Sequence, residues 1–531
     1  MYLCICNNVK EGDLERYHLI GTSCGRCKKM ETIIVKKKNE TFLQIETEPS
    51  IEQELAEHFC FYVPGYKFMP AYKNRFWDGK IRLFDYRKKT LYCGLFEYLK
   101  EFADVRQYNI VVDPNSFYGR PDSIEDIDVE DFISTLRLTA NKEKIEPRDY
   151  QIDALKECLI KNKKLLLSPT ASGKSLIIYM AVRYFLENSG KNVLIIVPTT
   201  SLVEQMYSDF DDYSRFDDWE ASEVCHRIYS GKEKYNLSQR VIITTWQSIY
   251  KLPHEWFENY GMVIGDEAHN FKAKSLTAIM EKCCEAKYRI GTTGTLDGTQ
   301  THQLVLEGLF GPVYKVTTTK KLIEADALSD LDISILLLKY KEEYCKAISK
   351  LKYQEELDFI VRYEPRNNFI SNLALDQEGN TLILFQYVEK HGKPLHSMLK
   401  GKIDEMSQTN HRLFYVSGET DVDTRESIRS ITEKESNAII VASIGTFSTG
   451  INIRNLHNII FASPSKSQIR VLQSIGRGLR KSDDGRGTKV FDIADDLHWK
   501  SKKNYTLEHA AVRIQIYNKE KFDYKLFEIE V

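Results

Sequence analysis

Two series of short apolar segments, alternating with helix-length stretches, constrain the fold of this chain more than any other feature. Their continuous runs of β-branched and other apolar residues are typical of parallel strands that are buried on both faces. The first series comprises residues 163–168, 192–197, 240–245, 262–267 and 288–293. The second series comprises residues 381–387, 412–417, 438–443, 458–463 and 489–494. The pattern predicts two α/β layers, whose ligands would bind at the carboxyl ends of the strands.

Composition agrees with a globular protein of several domains. The chain has 531 residues, 42% of them hydrophobic and 28% charged, which excludes a largely disordered or collagen-like chain. No apolar run approaches the roughly 18 residues of a membrane span, so we expect no membrane association. The amino terminus lacks the pattern of a secretory signal. Eleven cysteines are too few for a disulfide framework and indicate a reducing compartment, so we expect a cytoplasmic protein.

Charge is balanced in sum but segregated along the chain. The net charge is −2, yet residues 66–89 hold eight basic side chains against two acidic ones, interleaved with aromatic residues. Basic groups attract a phosphate backbone and aromatic faces stack on bases, so we predict a DNA-binding region here. The alternative is a small β-rich domain with its aromatic residues inward. The candidate DNA contacts are Lys73, Arg75, Trp77, Lys80 and Arg82.

Two acidic stretches have the opposite bias. Residues 122–131 contain six acidic side chains and no basic one, and residues 204–223 contain eight acidic side chains against one arginine. Such runs are more often solvated faces or linkers than sites, and we predict that role for both.

Residues 168–175 resemble a phosphate-binding loop between a strand and a helix. In such a loop the backbone N–H groups and the helix N-terminus face the anion. Lys174 would reach the β- and γ-phosphates, and Ser175 would hold Mg²⁺. Ser168 stands where the pattern has glycine. The remaining candidate nucleotide contacts of the loop are Pro169, Thr170, Ala171, Ser172 and Gly173.

Two carboxylates follow the strand at residues 262–265. Asp266 is a candidate Mg²⁺ ligand, and Glu267 is a candidate for orienting and activating the attacking water. His269 is a candidate link between the nucleotide and a neighbouring segment.

Between the last two segments of the second series, the chain has a predicted helix with candidate catalytic side chains Gln473, Arg477 and Arg480. Arginines three residues apart lie on one helix face. Aimed at a γ-phosphate, they can contribute about 10³- to 10⁵-fold in rate. Alone, the same pattern also fits a surface helix.

With these motifs in order, the chain resembles superfamily 2 helicases over residues 145–496. The resemblance implies that Arg148 and Gln151 recognise adenine and that Gly450 lies in a motif touching the nucleotide. It also implies coupling between ATP hydrolysis and DNA through His269 and the Thr293-Gly294-Thr295 motif. The strand-contacting residues that it implies are Thr199, Thr200, Trp246, Gln247 and Thr446.

A closer resemblance, carried by the segments NRFWDGKIRLFDY, IEPRDYQIDAL and LQSIGRGLRK, is to the UvsW-type recombination helicases of T-even-like phages. It implies two tandem RecA-like parallel-sheet motor domains preceded by a small α+β DNA-binding domain. It also implies ATP, Mg²⁺ and branched, forked or four-way DNA, with RNA in R-loops and single-strand-binding or recombination proteins as further partners. We predict these segments: a Cys-rich extension at 1–30, a DNA-binding domain at 31–120, an acidic helical linker at 121–144, motor domains at 145–325 and 326–496, and a helical tail at 497–531.

Four cysteines near the amino terminus form a C-x-C and C-x-x-C pattern. Two close pairs of thiolates suit a tetrahedral Zn²⁺ or a small iron–sulfur cluster. The segments MYLCICNNV and SCGRCKK also resemble the bacterioferritin-associated ferredoxin pattern, which implies a 2Fe–2S cluster, although the spacing is shorter here. The alternative is four unrelated reduced thiols. The residues are Cys4, Cys6, Cys24 and Cys27.

Three other functions remain open at this stage. An RNA helicase usually has D-E-A-D and S-A-T, where this chain has D-E-A-H and T-G-T. A restriction or nuclease motor would need a further nuclease constellation, and none is evident. A binding protein with an inert ATP site would not need so complete a set of catalytic candidates.

Overall fold

The computed structural model describes residues 3–4, 31–113, 126–229, 231–235, 238–406, 410–450, 453, 455–465, 467–479 and 484–531. The chain divides into two compact units. The first comprises Met1–Leu167 and Gly173–Val316, and the second comprises Ser168–Ser172 and Thr317–Val531. Within the described residues, no helix has the length and apolar character needed to cross a bilayer.

The first unit begins with a small α+β domain. Its strands and helices are β1 (Leu3–Cys4), β2 (Thr32–Lys37), β3 (Phe42–Glu46), α1 (Pro49–His58), β4 (Cys60–Tyr62), α2 (Pro70–Lys73), β5 (Lys80–Arg82), β6 (Phe84–Asp85), β7 (Thr90–Tyr92), α3 (Phe96–Arg106) and β8 (Asn109–Val112). Six strands form one mixed sheet in the order β1-β8-β2-β3-β7-β6, while β4 and β5 form a separate antiparallel hairpin. Alternating buried positions in β2 and β3 show that one face of the sheet is covered.

The rest of the first unit is a parallel sheet with helices between its strands. Its elements are α4 (Asp126–Thr135), β9 (Thr139–Ala140), β10 (Glu143–Lys144), α5 (Asp149–Lys161), β11 (Lys163–Leu167), α6 (Lys174–Asn188), β12 (Asn192–Val197), α7 (Thr200–Tyr213), α8 (Ala221–Val224), β13 (Cys225–Ile228), β14 (Val241–Thr245), α9 (Trp246–Ile249), β15 (Tyr260–Asp266), α10 (Lys274–Lys282), β16 (Tyr288–Thr293), α11 (Gln300–Phe310) and β17 (Val313–Lys315). Seven parallel strands follow the order β13-β14-β12-β15-β16-β11-β17. All seven residues of β15 are buried, as expected of a central strand covered on both faces.

The second unit contains another seven-stranded parallel sheet. Its elements are α12 (Thr319–Glu324), β18 (Leu331–Lys339), α13 (Glu342–Ile348), α14 (Tyr353–Arg362), α15 (Glu364–Leu375), β19 (Thr381–Phe385), α16 (Lys393–Glu405), β20 (Arg412–Val416), α17 (Val422–Thr432), β21 (Ala438–Ser443), α18 (Ile444–Gly450), β22 (Asn458–Phe461), α19 (Gln468–Gly478), β23 (Thr488–Asp496), α20 (Tyr505–Glu520) and β24 (Tyr524–Glu530). The strand order is β20-β21-β19-β22-β23-β18-β24. The predicted fold class, two tandem parallel-sheet domains after a small α+β domain, is therefore confirmed.

Three predicted segments differ from the structure. The tail after residue 496 is not only helical, because β24 pairs in parallel with β18 and completes the second sheet. The long segment of the second unit starts at Thr317, before the predicted boundary at 325. The described part of the acidic linker contains helix α4, but Val129 is fully buried in the core of the first parallel sheet. The acidic side chains on this helix therefore sit on a packed element of the motor domain.

Polar contacts fix the small domain to the first parallel sheet at the amino-terminal ends of its strands. Lys163, the first residue of β11, donates from Nζ to Glu40 Oε2 at 2.7 Å, and its side chain is 5% exposed. Arg289 of β16 is buried, and its guanidinium donates to Thr41 Oγ1 at 3.2 Å and to three backbone carbonyls of the motor domain. Apolar residues of both parts also form one continuous core cluster. The small domain and the first motor sheet are thus packed as one unit.

Candidate nucleotide site and DNA-contacting surfaces

The phosphate loop joins β11 to α6 through two residues with positive φ. Ala171 has φ +64° and Gly173 has φ +78°, and α6 begins at Lys174. Ser172 donates from its hydroxyl to the Pro169 carbonyl at 2.6 Å, and the Ser172 and Ser168 hydroxyls lie 2.5 Å apart. The serine that replaces the expected glycine at 168 therefore helps to close the loop from a buried position.

Gln151 lies directly against this loop. A Cβ atom built on Gly173 would stand 2.2 Å from Gln151 Nε2, so only glycine fits there with the side chain in place. Gln151 is buried near the start of α5, and its Oε1 accepts a hydrogen bond from the Arg148 backbone N–H at 2.9 Å. The Arg148 guanidinium donates to the Tyr150 hydroxyl at 2.9 Å. The structure thus places Gln151, a predicted adenine contact, against Gly173, a predicted phosphate contact.

Asp266 ends β15 in a buried position. Its Oδ1 accepts a hydrogen bond from the Thr292 hydroxyl at 2.7 Å, from the end of the adjacent strand β16. Burial, and next the Glu267 carboxylate, raise the pKa of Asp266, while Lys174 opposes that change. A buried carboxylate beside a second one is stabilised by a cation, so this donor set fits Mg²⁺.

Ser175, the other predicted magnesium ligand, has its hydroxyl 2.8 Å from the Tyr213 hydroxyl. A serine hydroxyl can both donate and accept, so this contact leaves it chemically able to bind a cation. Ser175 is the second residue of α6 and therefore follows Lys174 at the positive end of the helix.

A relay of side chains connects the acidic pair with the predicted coupling motif. His269 Nδ1 lies 3.1 Å from Thr293 Oγ1 and 3.2 Å from Glu267 Oε2. The Thr293 hydroxyl donates to the Thr295 carbonyl at 3.0 Å. Consecutive threonines of β16 therefore contact Asp266 and His269, and Gly294 lies between the two threonines of the motif.

The sequence interpretation missed two parts of this region. Thr292, the partner of Asp266, stands next to the coupling motif and could have been found from the adjacent strand ends. Asp297 lies 2.6 Å from Lys272 Nζ and 2.5 Å from His302 Nδ1. Burial acts to raise the pKa of Asp297, but these hydrogen bonds outweigh burial and hold the pKa at about 2. Lys272 lies 25 positions before Asp297, so no local pattern indicated that contact, whereas His302 is only five positions away and could have been considered.

Two predicted DNA-contacting segments of the first motor sheet lie at the same edge. Thr199 and Thr200 follow β12, while Trp246 and Gln247 follow β14, and the two strands are neighbours with Val197 opposite Thr245. Thr199 caps α7 by accepting a hydrogen bond from the Leu202 backbone N–H. Thr200 and Gln247 are exposed at this edge.

The second unit holds the other predicted motor residues. Gln473 and Arg477 lie four residues apart in α19, on one face of the helix. The Arg477 guanidinium lies 6.0 Å from the ring centroid of Phe447 in α18. Thr446, also in α18, accepts a hydrogen bond from the Ser443 hydroxyl at 2.7 Å. Gly450 is the last residue of α18, and Arg480 lies outside the described residues.

The sequence interpretation missed two buried arginines. Their hydrogen bonds hold residues between β22 and α19. Arg366 forms an ion pair with Asp495 and donates to the Ala462 carbonyl at 2.8 Å. Arg513 of α20 forms an ion pair with Asp492 and donates to the Ser465 carbonyl at 3.0 Å. Both arginines are at most 1% exposed. Ala462 and Ser465, between β22 and α19, are therefore held from the interior of the sheet.

The predicted DNA contacts of the small domain lie on the β4–β5 hairpin. Lys73 and Arg75 are exposed, whereas Trp77 is half-buried and donates from Nε1 to the Lys80 carbonyl at 2.8 Å. Lys80 Nζ also lies 4.9 Å from the ring centroid of Tyr62. Arg82 forms an ion pair with Asp78, so its charge is partly neutralised within the hairpin.

Of the four predicted metal-binding cysteines, the structure describes one. Cys4 lies in β1, and Cys6, Cys24 and Cys27 lie outside the described residues. Among the residues that the structure describes, no cluster of three or more His, Cys, Asp or Glu side chains could hold a metal ion. The Zn²⁺ or iron–sulfur site stays a prediction.

Three family models match the chain. They are described as the N-terminal domain of DNA helicase UvsW at residues 32–113, the res subunit of type III restriction enzymes at residues 144–298, and the helicase conserved C-terminal domain at residues 365–482.

Individual relatives give a consistent result. The ATP-dependent DNA helicase uvsW of Enterobacteria phage T4 is 36% identical over 498 residues, which cover 91% of this chain and 96% of the relative. The DNA 3'-5' translocase XPB2 of Sulfurisphaera tokodaii is 25% identical and covers 72% of this chain and 87% of its own length. The crystal structure of T4 UvsW superimposes with a TM-score of 0.50 at 33% identity and covers 94% of this chain and 99% of its own. A putative HsdR subunit of a type I restriction enzyme from Vibrio vulnificus, at 16% identity and a TM-score of 0.57, covers 82% of this chain and 83% of its own, and it shows likeness of fold alone.

Proposed function

Because the chain belongs to the family of the ATP-dependent DNA helicase UvsW, we propose that this DNA helicase acts on branched DNA, regressing forks, migrating four-way junctions and unwinding R-loops. The observation that supports this role best is the union of a basic, aromatic hairpin with the first motor sheet in one packed unit. In that arrangement the small domain moves with the motor domain, so it can hold one arm of a junction while the motor advances.

ATP hydrolysis would depend on the residues around the phosphate loop. The backbone N–H groups of the loop and Lys174 would bind the phosphates, and Gln151 would select adenine. Asp266 and Ser175 would hold Mg²⁺, which, when bound, neutralises charge on the β- and γ-phosphates. Glu267 would orient and activate the attacking water.

Residues of the second unit would complete the reaction. Arg477 and Arg480 would place guanidinium groups on the γ-phosphate, where charge increases in the transition state. Gln473 and Gly450 would line the nucleotide from α19 and α18. The contacts among Glu267, His269 and Thr293 would report the state of the γ-phosphate to the DNA-contacting edge of the sheet.

DNA would be held at two places in the first unit. The hairpin residues Lys73 and Arg75 would contact phosphates, because they are exposed and basic. The edge formed by residues 199–200 and 246–247 would contact a single strand, with Thr446 of the second unit as a further contact. Since the T4 relative is a phage protein, we place the activity in the host cytoplasm, with single-strand-binding or recombination proteins as partners.

The test is ATPase activity of the full chain, titrated with single-stranded, duplex, forked and four-way DNA and with RNA of matched length. We expect forked and four-way DNA to give half-maximal stimulation at the lowest nucleic-acid concentration, and we expect ATP-dependent conversion of a model fork into a four-way junction. Stimulation by RNA alone, or equal stimulation by all DNA forms with no fork conversion, would contradict the proposal. Lys174→Ala should fail in every arm, and this variant confirms that the measured hydrolysis belongs to the chain.

A further inference from the structure

The β4–β5 hairpin carries an elaborate tip, residues 63–79, which contains a short 3₁₀ turn and α2. Its base is anchored, because Phe61 and Ile81 pack against the core that the small domain shares with the motor sheet. The strands continue to hydrogen-bond at the base of the tip, where the Val63 N–H donates to the Gly79 carbonyl at 2.8 Å. The tip is therefore an ordered extension of the packed unit.

Aromatic packing stiffens the interior of the tip. Tyr62 and Tyr66 stack with ring centroids 4.6 Å apart, and Tyr72 packs edge-on against Tyr66 at 4.8 Å. Gly79 has φ +83°, and a Cβ atom built there would stand 2.3 Å from the Tyr66 ring. These contacts hold the backbone of the tip in one conformation without help from a ligand.

Two other aromatic side chains of the tip have no such packing. Phe68 is 80% exposed and Phe76 is 86% exposed, although three tyrosines of the same hairpin are packed together. Large aromatic residues that remain exposed on an ordered element are typical of contact surfaces, and those next to basic groups suit nucleic-acid bases.

Phe76 borders an open cavity of about 540 Å³. Lys67, Lys73 and Arg75 supply positive charge to its lining, and Tyr72, Phe76 and Trp77 supply aromatic surface. The one acidic residue of the lining, Asp78, forms an ion pair with Arg82, and that contact holds the pKa of Asp78 below its usual value. Charge and shape together favour an anion that carries a flat ring.

We propose that this cavity binds a single unstacked nucleotide of branched DNA, with its base on Phe76 and its phosphate beside Lys73 and Arg75. The proposal rests on the proposed function, in which the hairpin grips the DNA. Bases within a continuous duplex are stacked and cannot reach a side chain of this kind, whereas bases at a branch point are already partly unstacked. The cavity would therefore distinguish a branch from a duplex arm without reading sequence.

The test is a double-mutant cycle between the protein and the DNA. The full chain is titrated with a three-way junction that carries one unpaired nucleotide at the branch, and with the same junction in which that nucleotide is abasic. For the natural sequence we expect the abasic junction to bind about tenfold more weakly, because base–aromatic stacking contributes on that scale. Phe76→Ala should bind the intact junction about tenfold more weakly than the natural chain does. The affinity of Phe76→Ala should differ by less than about twofold between the intact and the abasic junction.

The matched control is Phe216→Ala, which removes an exposed phenylalanine of the first motor domain. It should keep the natural affinity and the full abasic penalty. Thermal unfolding of both variants should match that of the natural chain, since neither side chain is buried. Equal abasic penalties in the natural chain and in Phe76→Ala would overturn the proposal.

A second variant separates this proposal from the grip itself. Lys73→Ala combined with Arg75→Ala should weaken binding of both junctions and reduce the salt dependence by about two phosphate contacts. If that variant binds as the natural chain does, the hairpin does not grip DNA, and the DNA-binding part of the proposed function fails. If that variant binds more weakly, and Phe76→Ala shows the same abasic penalty as the natural chain, the hairpin binds DNA but does not capture a base.

Discussion

The buried ion pair between Glu40 and Lys163 should control how firmly the small domain stays on the first motor sheet. Lys163 Nζ donates hydrogen bonds to Glu40 Oε2 at 2.7 Å and to the Lys287 carbonyl at 3.2 Å. Glu40→Gln keeps the shape of the side chain but removes its charge and leaves a 5% exposed ammonium group beside a neutral amide.

The free energy that Glu40→Gln should cost the interface lies between the contribution of a single hydrogen bond and the cost of a broken buried ion pair. Removing one partner of a buried pair costs about 3–5 kcal/mol, and a hydrogen bond to a charged group contributes about 1.5–3 kcal/mol. Since glutamine can still accept from Lys163, we expect about 2 kcal/mol, which corresponds to roughly 30-fold faster opening. Glu40→Gln with Lys163→Met should recover part of this loss, because no unpaired charge remains buried.

The assay is native-state hydrogen exchange of the full chain, followed at the amides of β2 and β3. The control is Glu46→Gln, which neutralises an exposed pair with Lys36 at 2.7 Å and should cost less than about 1 kcal/mol. The reasoning is refuted if both glutamine variants exchange alike, or if adding Lys163→Met makes Glu40→Gln exchange faster still.

The same pair predicts a pH dependence of the interface. Burial acts to raise the pKa of Glu40, but Lys163 and Lys37 outweigh burial and lower it. A carboxylate with a lowered pKa stabilises the folded state above its unfolded pKa of 4.5, and this contribution is lost as the pH falls through the lower folded value. After correction for the slower intrinsic exchange at low pH, the protection factors of the β2 and β3 amides should therefore fall below about pH 4.5 in the natural chain, and this acid-induced component should be absent in Glu40→Gln.

Three further predictions concern the site. Lys174→Ala should abolish DNA-stimulated ATP hydrolysis while leaving thermal unfolding unchanged. The control Lys191→Ala, at a half-exposed lysine paired with Glu285, should keep activity. ATP hydrolysis by Lys174→Ala would disprove the phosphate-binding role of this lysine. Thr292→Val removes the hydroxyl that hydrogen-bonds Asp266, so it should lower ATP turnover roughly tenfold and raise the Mg²⁺ concentration needed for half-maximal turnover. The control Thr47→Val in the small domain should change neither quantity. An unchanged magnesium requirement in Thr292→Val would show that this hydroxyl does not position Asp266. Purified full chain should contain zinc or an iron–sulfur absorption band that Cys24→Ser with Cys27→Ser removes and Cys60→Ser retains, and a colourless, metal-free chain would refute the cysteine site.

The motor sheets were predictable because their strands are continuous apolar runs separated by helix-length segments, which is typical of parallel strands buried on both faces. The segments at residues 192–197, 288–293 and 438–443 are strands with the predicted bounds. The phosphate loop and the Asp266–Glu267 pair were predictable for a related reason, since both lie directly at the carboxyl end of an apolar strand.

What the sequence did not predict depends on contacts between distant residues. β24 is not a continuous apolar run, and it becomes a strand by pairing with β18, almost two hundred positions earlier in the chain. The ion pair between Arg366 and Asp495 likewise joins residues 129 positions apart. The hairpin was predicted as a basic, aromatic surface, but only the structure shows which aromatic residues are packed together and which are exposed.

Docking of the small domain at the amino-terminal ends of β11 and β16 has a mechanical consequence. The same two strands lead to the phosphate loop and to the coupling motif at their opposite ends. β11 has five residues, so the docking point and the loop are separated by only about 15 Å of extended chain. Tension on DNA held by the hairpin would pass lengthwise along strands that are hydrogen-bonded to neighbours on both sides. Force applied to the bound DNA would thus reach the phosphate loop as a shear force. We therefore expect the rate of ATP turnover to change when a force opposes movement along the DNA.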